Sequence, residues 1–131
     1  MPSPELEAAE ALLEAAREDE AVVRELLDNP RIGDAAIGFH AQQAVEKTLK
    51  AVIARDGVDY PLTHDIARLL DQLGRGRLSD RLPLDQAEDL TPWATELRYG
   101  ASSQSELDRP AALRVTEAFR TWAEGEIHRS R

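Results

Sequence analysis

The chain has 131 residues, a length that suits one domain with a single hydrophobic core. Its formal net charge of −9 excludes nucleic-acid binding through bulk charge, because phosphate contacts need a surface rich in Lys and Arg, although a local basic pocket stays open. The chain has no cysteine, which excludes disulfides, thiolate metal ligands and a cysteine nucleophile.

The expected compartment is the cytoplasm. Residues Met1–Glu5 have neither a basic start nor an apolar run, so we predict no signal peptide. No stretch has the roughly 20 apolar residues that a membrane span requires. The lack of cysteine is compatible with a reducing environment.

The first predicted helix runs from about Pro4 to Asp28, with Ser3 as its cap and Pro4 at its first position. Its apolar residues recur at helical spacing, and Asn29-Pro30 ends it. The acidic side chains from Glu5 to Glu25 predict a solvated face, although Glu20 interrupts the apolar stripe.

The second predicted helix runs from Ile32 or Asp34 to about Arg55, and Gly57 suits a left-handed cap after it. Its apolar band is wide, so we expect this helix to be the most buried. The segment Val58–Leu62 is expected to be extended, because Pro61 disfavours helix at the residue before it.

A short third helix is expected after Thr63 as its cap, and the following Gly74–Arg77 is predicted to be a flexible, basic loop. The fourth predicted helix runs from about Leu84 to Ala101, with Pro92 starting a new turn or kinking it. The fifth runs from about Pro110 to Ile127. One-sided stripes and short connections predict an all-α fold, an up-and-down antiparallel bundle of four to five helices.

Polar residues intrude on the second helix, which should otherwise be buried. His40, Gln43, Lys47 and Lys50 recur three or four residues apart and therefore share one face. Glu46 also lies on this helix, and a buried carboxylate must be paired or hydrogen-bonded. Arg98 on the fourth predicted helix is a candidate partner for it.

Three motifs in this order resemble the HEPN domain family: Phe39–Lys50, then Thr63–Ile66 with Leu69, then Trp93–Gly100. The resemblance covers about Ala35 to Gly100. It implies a helical bundle that commonly dimerises. Many family members act with a minimal nucleotidyltransferase as a toxin–antitoxin pair, others are ribonucleases, and some bind nucleotides.

The ribonuclease branch of that family uses an Arg, four to six intervening residues and a His, and this chain lacks the motif. The positions that such an Arg would occupy before His40, His64 and His128 hold other residues: Gly33–Ala35, Gly57–Asp59 and Thr121–Ala123. The seven residues after Arg98, Tyr99 to Ser105, include no His. Since a metal-independent ribonuclease needs a general base and acid, usually His, this departure argues against that activity.

Glu46 and Arg98 are interpreted as a structural ion pair between two helices. The alternative is a pocket in which Arg98, Lys47 and Lys50 receive phosphate groups. His40 is expected at the edge of the bundle or at an interface, and His64 is expected to stabilise the loop before the third helix.

The functional prediction is an interaction module, dimeric and paired with a minimal nucleotidyltransferase, that in addition binds a nucleotide. The alternative is a divergent ribonuclease toxin that uses Arg98, Tyr99 and either His40 or His64. The spacing of the histidines predicts no metal site, and we expect no cofactor. The predicted ligand-binding, nucleotide-binding or interface residues are His40, Gln43, Glu46, Lys47, Lys50, Arg98 and Tyr99.

Overall fold

The computed structural model describes residues 2–78, 80–96 and 106–129, and these residues form helices and turns without a strand. The helices are α1 (Pro4–Leu26), α2 (Asp34–Arg55), α3 (Ile66–Leu73), α4 (Leu84–Glu88), α5 (Trp93–Glu96) and α6 (Arg109–Ile127), with a 3₁₀ turn at Arg75–Arg77. No described helix is both long and apolar enough to cross a membrane.

Helices α1, α2 and α6 form the centre of the bundle, and α1 runs antiparallel to both of the others. Arg17 pairs with Glu124, whereas Arg24, about two turns further along α1, pairs with Glu117, about two turns earlier on α6. Helices α3 and α5 pack against α2, and α4 packs against α3 and α6. This arrangement confirms the predicted all-α, up-and-down antiparallel bundle.

Helix α2 is the central element, as its wide apolar band predicts. Its fully buried side chains pack against those of α1, α3 and α6 in one cluster. This core includes Leu13 and Val23 of α1, Ile37, Val45, Leu49 and Ile53 of α2, Ile66, Leu69 and Leu70 of α3, and Val115, Phe119 and Ile127 of α6.

The helix starts show which cap predictions were right. Ser3 Oγ accepts a hydrogen bond from the amide of Leu6 at 3.1 Å, which confirms the first cap. The cap of α3 is Asp65 rather than Thr63: its carboxylate accepts from the amide of Ala67 at 3.1 Å. The prediction of Thr63 was wrong because its hydroxyl accepts from the amide of Asp65 and so belongs to the preceding turn.

The predicted fourth helix is divided into α4 and α5. Proline at position 92 has no amide hydrogen, so the α-helical pattern cannot continue through it. Trp93 donates instead to the carbonyl of Leu90 and Ala94 to that of Thr91, which is the tighter spacing of a 3₁₀ turn. The predicted new turn at Pro92 is therefore confirmed, and residues 97–101 of that prediction lie outside the described residues.

The predicted basic loop Gly74–Arg77 contains a short 3₁₀ turn, which the sequence analysis did not predict. Residues Arg75–Arg77 form a 3₁₀ turn, and the side chains of both arginines form ion pairs with carboxylates. Arg77 contacts Asp56 at 2.5 Å and Glu126 at 3.1 Å, which ties the turn to the ends of α2 and α6. Carboxylates brought in from distant helices fix this segment, and the local sequence does not reveal them.

A ladder of alternating charges joins α1 to α6. Glu20 is at its centre, with a side chain only 4% exposed, and it accepts from Arg24 at 2.6 Å and from Arg120 at 2.9 Å. Glu124 then bridges Arg120 and Arg17. The predicted solvated face of α1 is thus wrong at Glu20, because α6 packs over this position.

Replacing Glu20 with Ala is expected to lower the free energy of unfolding by about 1–2 kcal/mol, because two guanidinium groups each lose one of their carboxylate acceptors while remaining partly hydrated. Urea unfolding at low and high NaCl would measure this. The cost should shrink in 1 M NaCl, since salt screens the exposed part of the ladder. Equal stability of the variant and the wild-type chain would contradict the assigned role.

Candidate functional site

Helix α2 leaves one narrow edge accessible to solvent. Between Ile37 and Ile53, the half-buried side chains are Phe39, His40, Gln43 and Lys47, and all others are buried. The predicted positions His40, Gln43, Glu46, Lys47 and Lys50, here called the polar cluster of α2, lie along or directly beneath this edge. The helical periodicity that grouped them in the sequence also groups them in space.

One end of the polar cluster is held by a carboxylate from α1. Asp19 is buried and contacts His40 Nδ1 through Oδ1 at 2.8 Å, while its Oδ2 accepts from Lys47 Nζ at 2.6 Å. Two cation-forming side chains of α2 therefore share one carboxylate. This arrangement links α1 to α2 and neutralises the charge of Lys47 within the chain.

The other end is organised around Glu46, whose side chain is only 5% exposed. Its Oε2 accepts from Lys50 Nζ at 2.8 Å, and its Oε1 lies 2.8 Å from His64 Nδ1. Gln42, fully buried, donates to Glu46 Oε1 at 3.0 Å and to the carbonyl of His64 at 2.9 Å. Gln43 donates to the side-chain oxygen of Gln42 at 2.7 Å.

The two ends repeat the same chemistry: a buried carboxylate, a histidine bound through Nδ1, and a lysine. An ionised carboxylate only accepts hydrogen bonds, so Nδ1 of His40 and of His64 must carry the proton. The Nε2 atom of a neutral ring is then an acceptor. His64 is 54% exposed and His40 33%, so both rings contact solvent.

The environment lowers the pKa of the Glu46 carboxyl below its ordinary value. Burial, the largest single influence, acts in the opposite direction, because it disfavours the charged form. The hydrogen bonds from Lys50, Gln42 and His64, with the positive charge of Lys50, together outweigh it. Glu46 is therefore held as a carboxylate in the folded chain.

Acid should weaken the fold in part through Glu46. Because the folded-state pKa is depressed, the contribution of Glu46 is complete well above its unfolded pKa of about 4.3 and is lost as the pH falls through the lower folded value. The difference in unfolding free energy between wild type and Glu46→Gln should therefore shrink from pH 7 to pH 3. A difference that stays constant over that range, measured by urea unfolding, would contradict the lowered pKa of Glu46 in the folded chain.

The structure brings His40, Gln43, Glu46, Lys47 and Lys50 into one connected region, as the sequence predicts. Arg98 and Tyr99 lie outside the described residues, and so does the predicted Glu46–Arg98 ion pair. Among the described residues, the partners of Glu46 are Lys50, His64, Gln42 and Gln43.

Asp19 was missed by the sequence reasoning, which placed it on a solvated face. A signal was present: Asp19 follows the buried Ala16 by three residues and precedes the buried Val23 by four, so it shares their face of α1. His64 was expected only to stabilise its own loop, whereas it also contacts α2. Within the described part of the chain, no group of three or more His, Cys, Asp or Glu side chains is arranged to hold a metal ion.

Comparison with known proteins identifies the family. The family model described as "HEPN domain" matches residues 8–126, which span α1 to α6 and include the whole polar cluster. No curated protein and no solved structure gives a significant match. Because the family model matches most of the length of this chain, the chain belongs to the HEPN domain family.

Proposed function

We propose that this chain is a protein-interaction module of the HEPN family that forms a homodimer and pairs with a minimal nucleotidyltransferase in a cytoplasmic toxin–antitoxin-like system. One observation carries the preference for a protein partner over phosphate. Lys47 and Lys50, the cations that would receive phosphate groups, are bound to Asp19 and Glu46 of the same chain. The net charge of −9 also disfavours polyanions.

The test combines genomic context with reconstitution. Light scattering of the purified protein should give the mass of two chains, and co-expression with a nucleotidyltransferase from a neighbouring reading frame should give a stable complex in gel filtration. A protein that remains monomeric at high concentration and binds no such neighbour would contradict the proposal.

Nucleotide binding at the polar cluster is part of the proposal as a secondary property. A phosphate there would compete with Asp19 for Lys47 and with Glu46 for Lys50, so we expect only weak, millimolar binding. Calorimetry with ATP and GTP tests this, with Lys47→Met and Lys50→Met as variants. Tight binding lost in these variants would show that phosphate recognition, not protein pairing, is the main use of the cluster.

A divergent ribonuclease is the second candidate, and the His64–Glu46 pair favours it. A carboxylate bound to Nδ1 orients a histidine and leaves Nε2 to accept a proton, which is the arrangement of many general bases. Incubating total RNA with wild type, His64→Gln and Arg98→Ala tests the idea. Intact RNA, or equal cleavage by the wild-type protein and both variants, would remove this candidate.

A further inference from the structure

Among the described residues, two large hydrophobic side chains stand out as exposed, Val58 at 52% and Leu62 at 96%. Both lie in the segment 57–65 between α2 and α3, here called the α2–α3 segment. Single exposed apolar residues are ordinary on protein surfaces. Here two exposed apolar side chains lie in one short segment, and one of them is almost completely exposed to water.

The first half of the α2–α3 segment is attached to the helices on both sides. The carbonyl of Asp59 accepts from Gln72 Nε2 of α3 at 2.9 Å. Tyr60 packs against the core, and Lys50 Nζ of α2 lies 5.3 Å from the centre of its ring. The backbone just before Leu62 is therefore fixed by side chains from α2 and α3.

The second half of the segment is attached to the polar cluster. The amide of Thr63 donates to the carbonyl of Pro61 at 3.0 Å, which forms a tight turn around Leu62. His64 then contacts Glu46 through its ring, and its carbonyl accepts from Gln42. Leu62 is thus displayed from an anchored turn, and a preorganised contact costs less conformational entropy on binding than a mobile one.

The charges around Leu62 indicate what kind of surface it fits. In the sequence, the exposed residues Asp59 and Asp65 each lie three positions from Leu62, one before it and one after it, and the whole chain carries a net charge of −9. A complementary surface has an apolar pocket with a basic rim. The same acidic residues disfavour insertion into a membrane with anionic headgroups, so a protein partner fits better than a lipid surface.

We infer that the α2–α3 segment is a docking knob, in which Leu62 enters an apolar pocket with a basic rim on a partner protein while Val58 covers the edge of that pocket. The inference rests on the proposed protein-pairing function and names the surface that it uses. In this arrangement Glu46 and Lys50 of the polar cluster, with the neighbouring Gln42, position the docking knob. They do so through their contacts with His64 and Tyr60 of the segment.

The test compares Leu62→Ser and Asp59→Lys with two matched controls on other exposed positions, Ala11→Ser and Asp28→Lys. Each chain is titrated by calorimetry with the purified nucleotidyltransferase of the neighbouring reading frame. Burial of a leucine predicts binding about 10- to 100-fold weaker for Leu62→Ser. Asp59→Lys should also weaken binding, and the controls should bind like the wild-type chain.

Because Leu62 is almost fully exposed, Leu62→Ser should keep the circular-dichroism spectrum and melting temperature of the wild-type protein. A complex that forms equally well with Leu62→Ser would overturn the docking knob and leave the proposed pairing intact. Sedimentation with phosphatidylcholine vesicles that depends on Leu62 would also overturn it, in favour of a lipid surface.

Failure of the wild-type chain to bind any nucleotidyltransferase would remove the proposed pairing but not decide the knob. Photo-crosslinking in cells, from a benzophenone side chain introduced at position 62 and at control position 11, decides it. The inference predicts one protein crosslinked only from position 62, whose purified form binds wild type and not Leu62→Ser. The lack of a position-specific crosslink would overturn it.

Discussion

Replacing Glu46 with Gln is expected to lower the free energy of unfolding by about 3 kcal/mol and the melting temperature by about 10 °C. The reason is that Lys50 is almost buried beside Glu46, at 11% side-chain exposure, and would lose its counter-charge inside the fold. A glutamine keeps one acceptor oxygen where the carboxylate has two, so His64, Gln42 and Lys50 could no longer all be satisfied. Urea unfolding followed by circular dichroism at pH 7 measures the effect.

The matched control is Glu18→Gln, the same change at an exposed carboxylate of α1, and it should stay within about 0.5 kcal/mol of wild type. The double variant Glu46→Gln/Lys50→Met should be more stable than Glu46→Gln alone, because it removes the unpaired charge as well. If Glu46→Gln cost no more than its control, the carboxylate would not be the organising group of the cluster.

Replacing Gly38 with Ala is expected to displace Trp93 and to cost about 1–3 kcal/mol. A Cβ at position 38 would lie only 2.5 Å from Cδ2 of Trp93 and 2.7 Å from its Cγ and Cε3. Cβ atoms in proteins do not approach non-bonded carbon atoms this closely. Trp93 belongs to the four-residue helix α5, so this small element should move rather than the central helix α2. Trp93 emission in a Trp122→Phe background reports the displacement directly.

Gly125→Ala is the control for this experiment. Gly125 also lies in a helix, α6, but nothing lies within 4 Å of an added Cβ there. The added methyl group should therefore stabilise the fold by about 0.5–1 kcal/mol, as Ala does in open helical positions. A Gly38→Ala variant that behaved in the same way, with unchanged Trp93 emission, would show that α5 does not pack on α2 through this contact.

The helices could be predicted because their signals are local. Apolar periodicity, the cap at Ser3 and the breaks at Pro30 and Gly57 each act within a few residues of the position they determine. The predicted fourth helix ran across Pro92 because the apolar stripe continues through it, although the backbone hydrogen bonds do not. Periodicity reports which face is buried, whereas proline decides where the hydrogen-bonding pattern must change.

The site was predictable to the extent that it lies on one helix. The spacing of His40, Gln43, Lys47 and Lys50 on α2 is enough to place them together. Lys50 finds its partner Glu46 on the same helix, but other partners lie far away in the sequence: Asp19 is 28 residues from Lys47, and His64 is 18 residues from Glu46. Which distant carboxylate meets which cation depends on how the helices pack, and a single sequence does not encode that in any short pattern.

The internal pairing has a consequence for function. A lysine that is already bound to a carboxylate of its own chain offers little affinity to a phosphate, because the ligand must replace an existing ion pair. The polar cluster of α2 is therefore better suited to fix neighbouring elements, among them the segment that displays Leu62. This arrangement therefore supports the proposed protein pairing over nucleotide or RNA chemistry.

The most direct test of the internal contacts between histidines and carboxylates is the protonation pattern of the histidine rings. It is read from ¹⁵N–¹H correlation spectra at a pH where imidazole is neutral. The carboxylate contacts of His40 and His64 predict the Nδ1–H form for both rings. The fraction in this form should fall for His64 in Glu46→Gln and for His40 in Asp19→Asn, because each amide keeps one acceptor oxygen for partners that shared two. If both rings carried the proton on Nε2 in the wild-type protein, the carboxylates would not hold them and the paired cluster would be wrong.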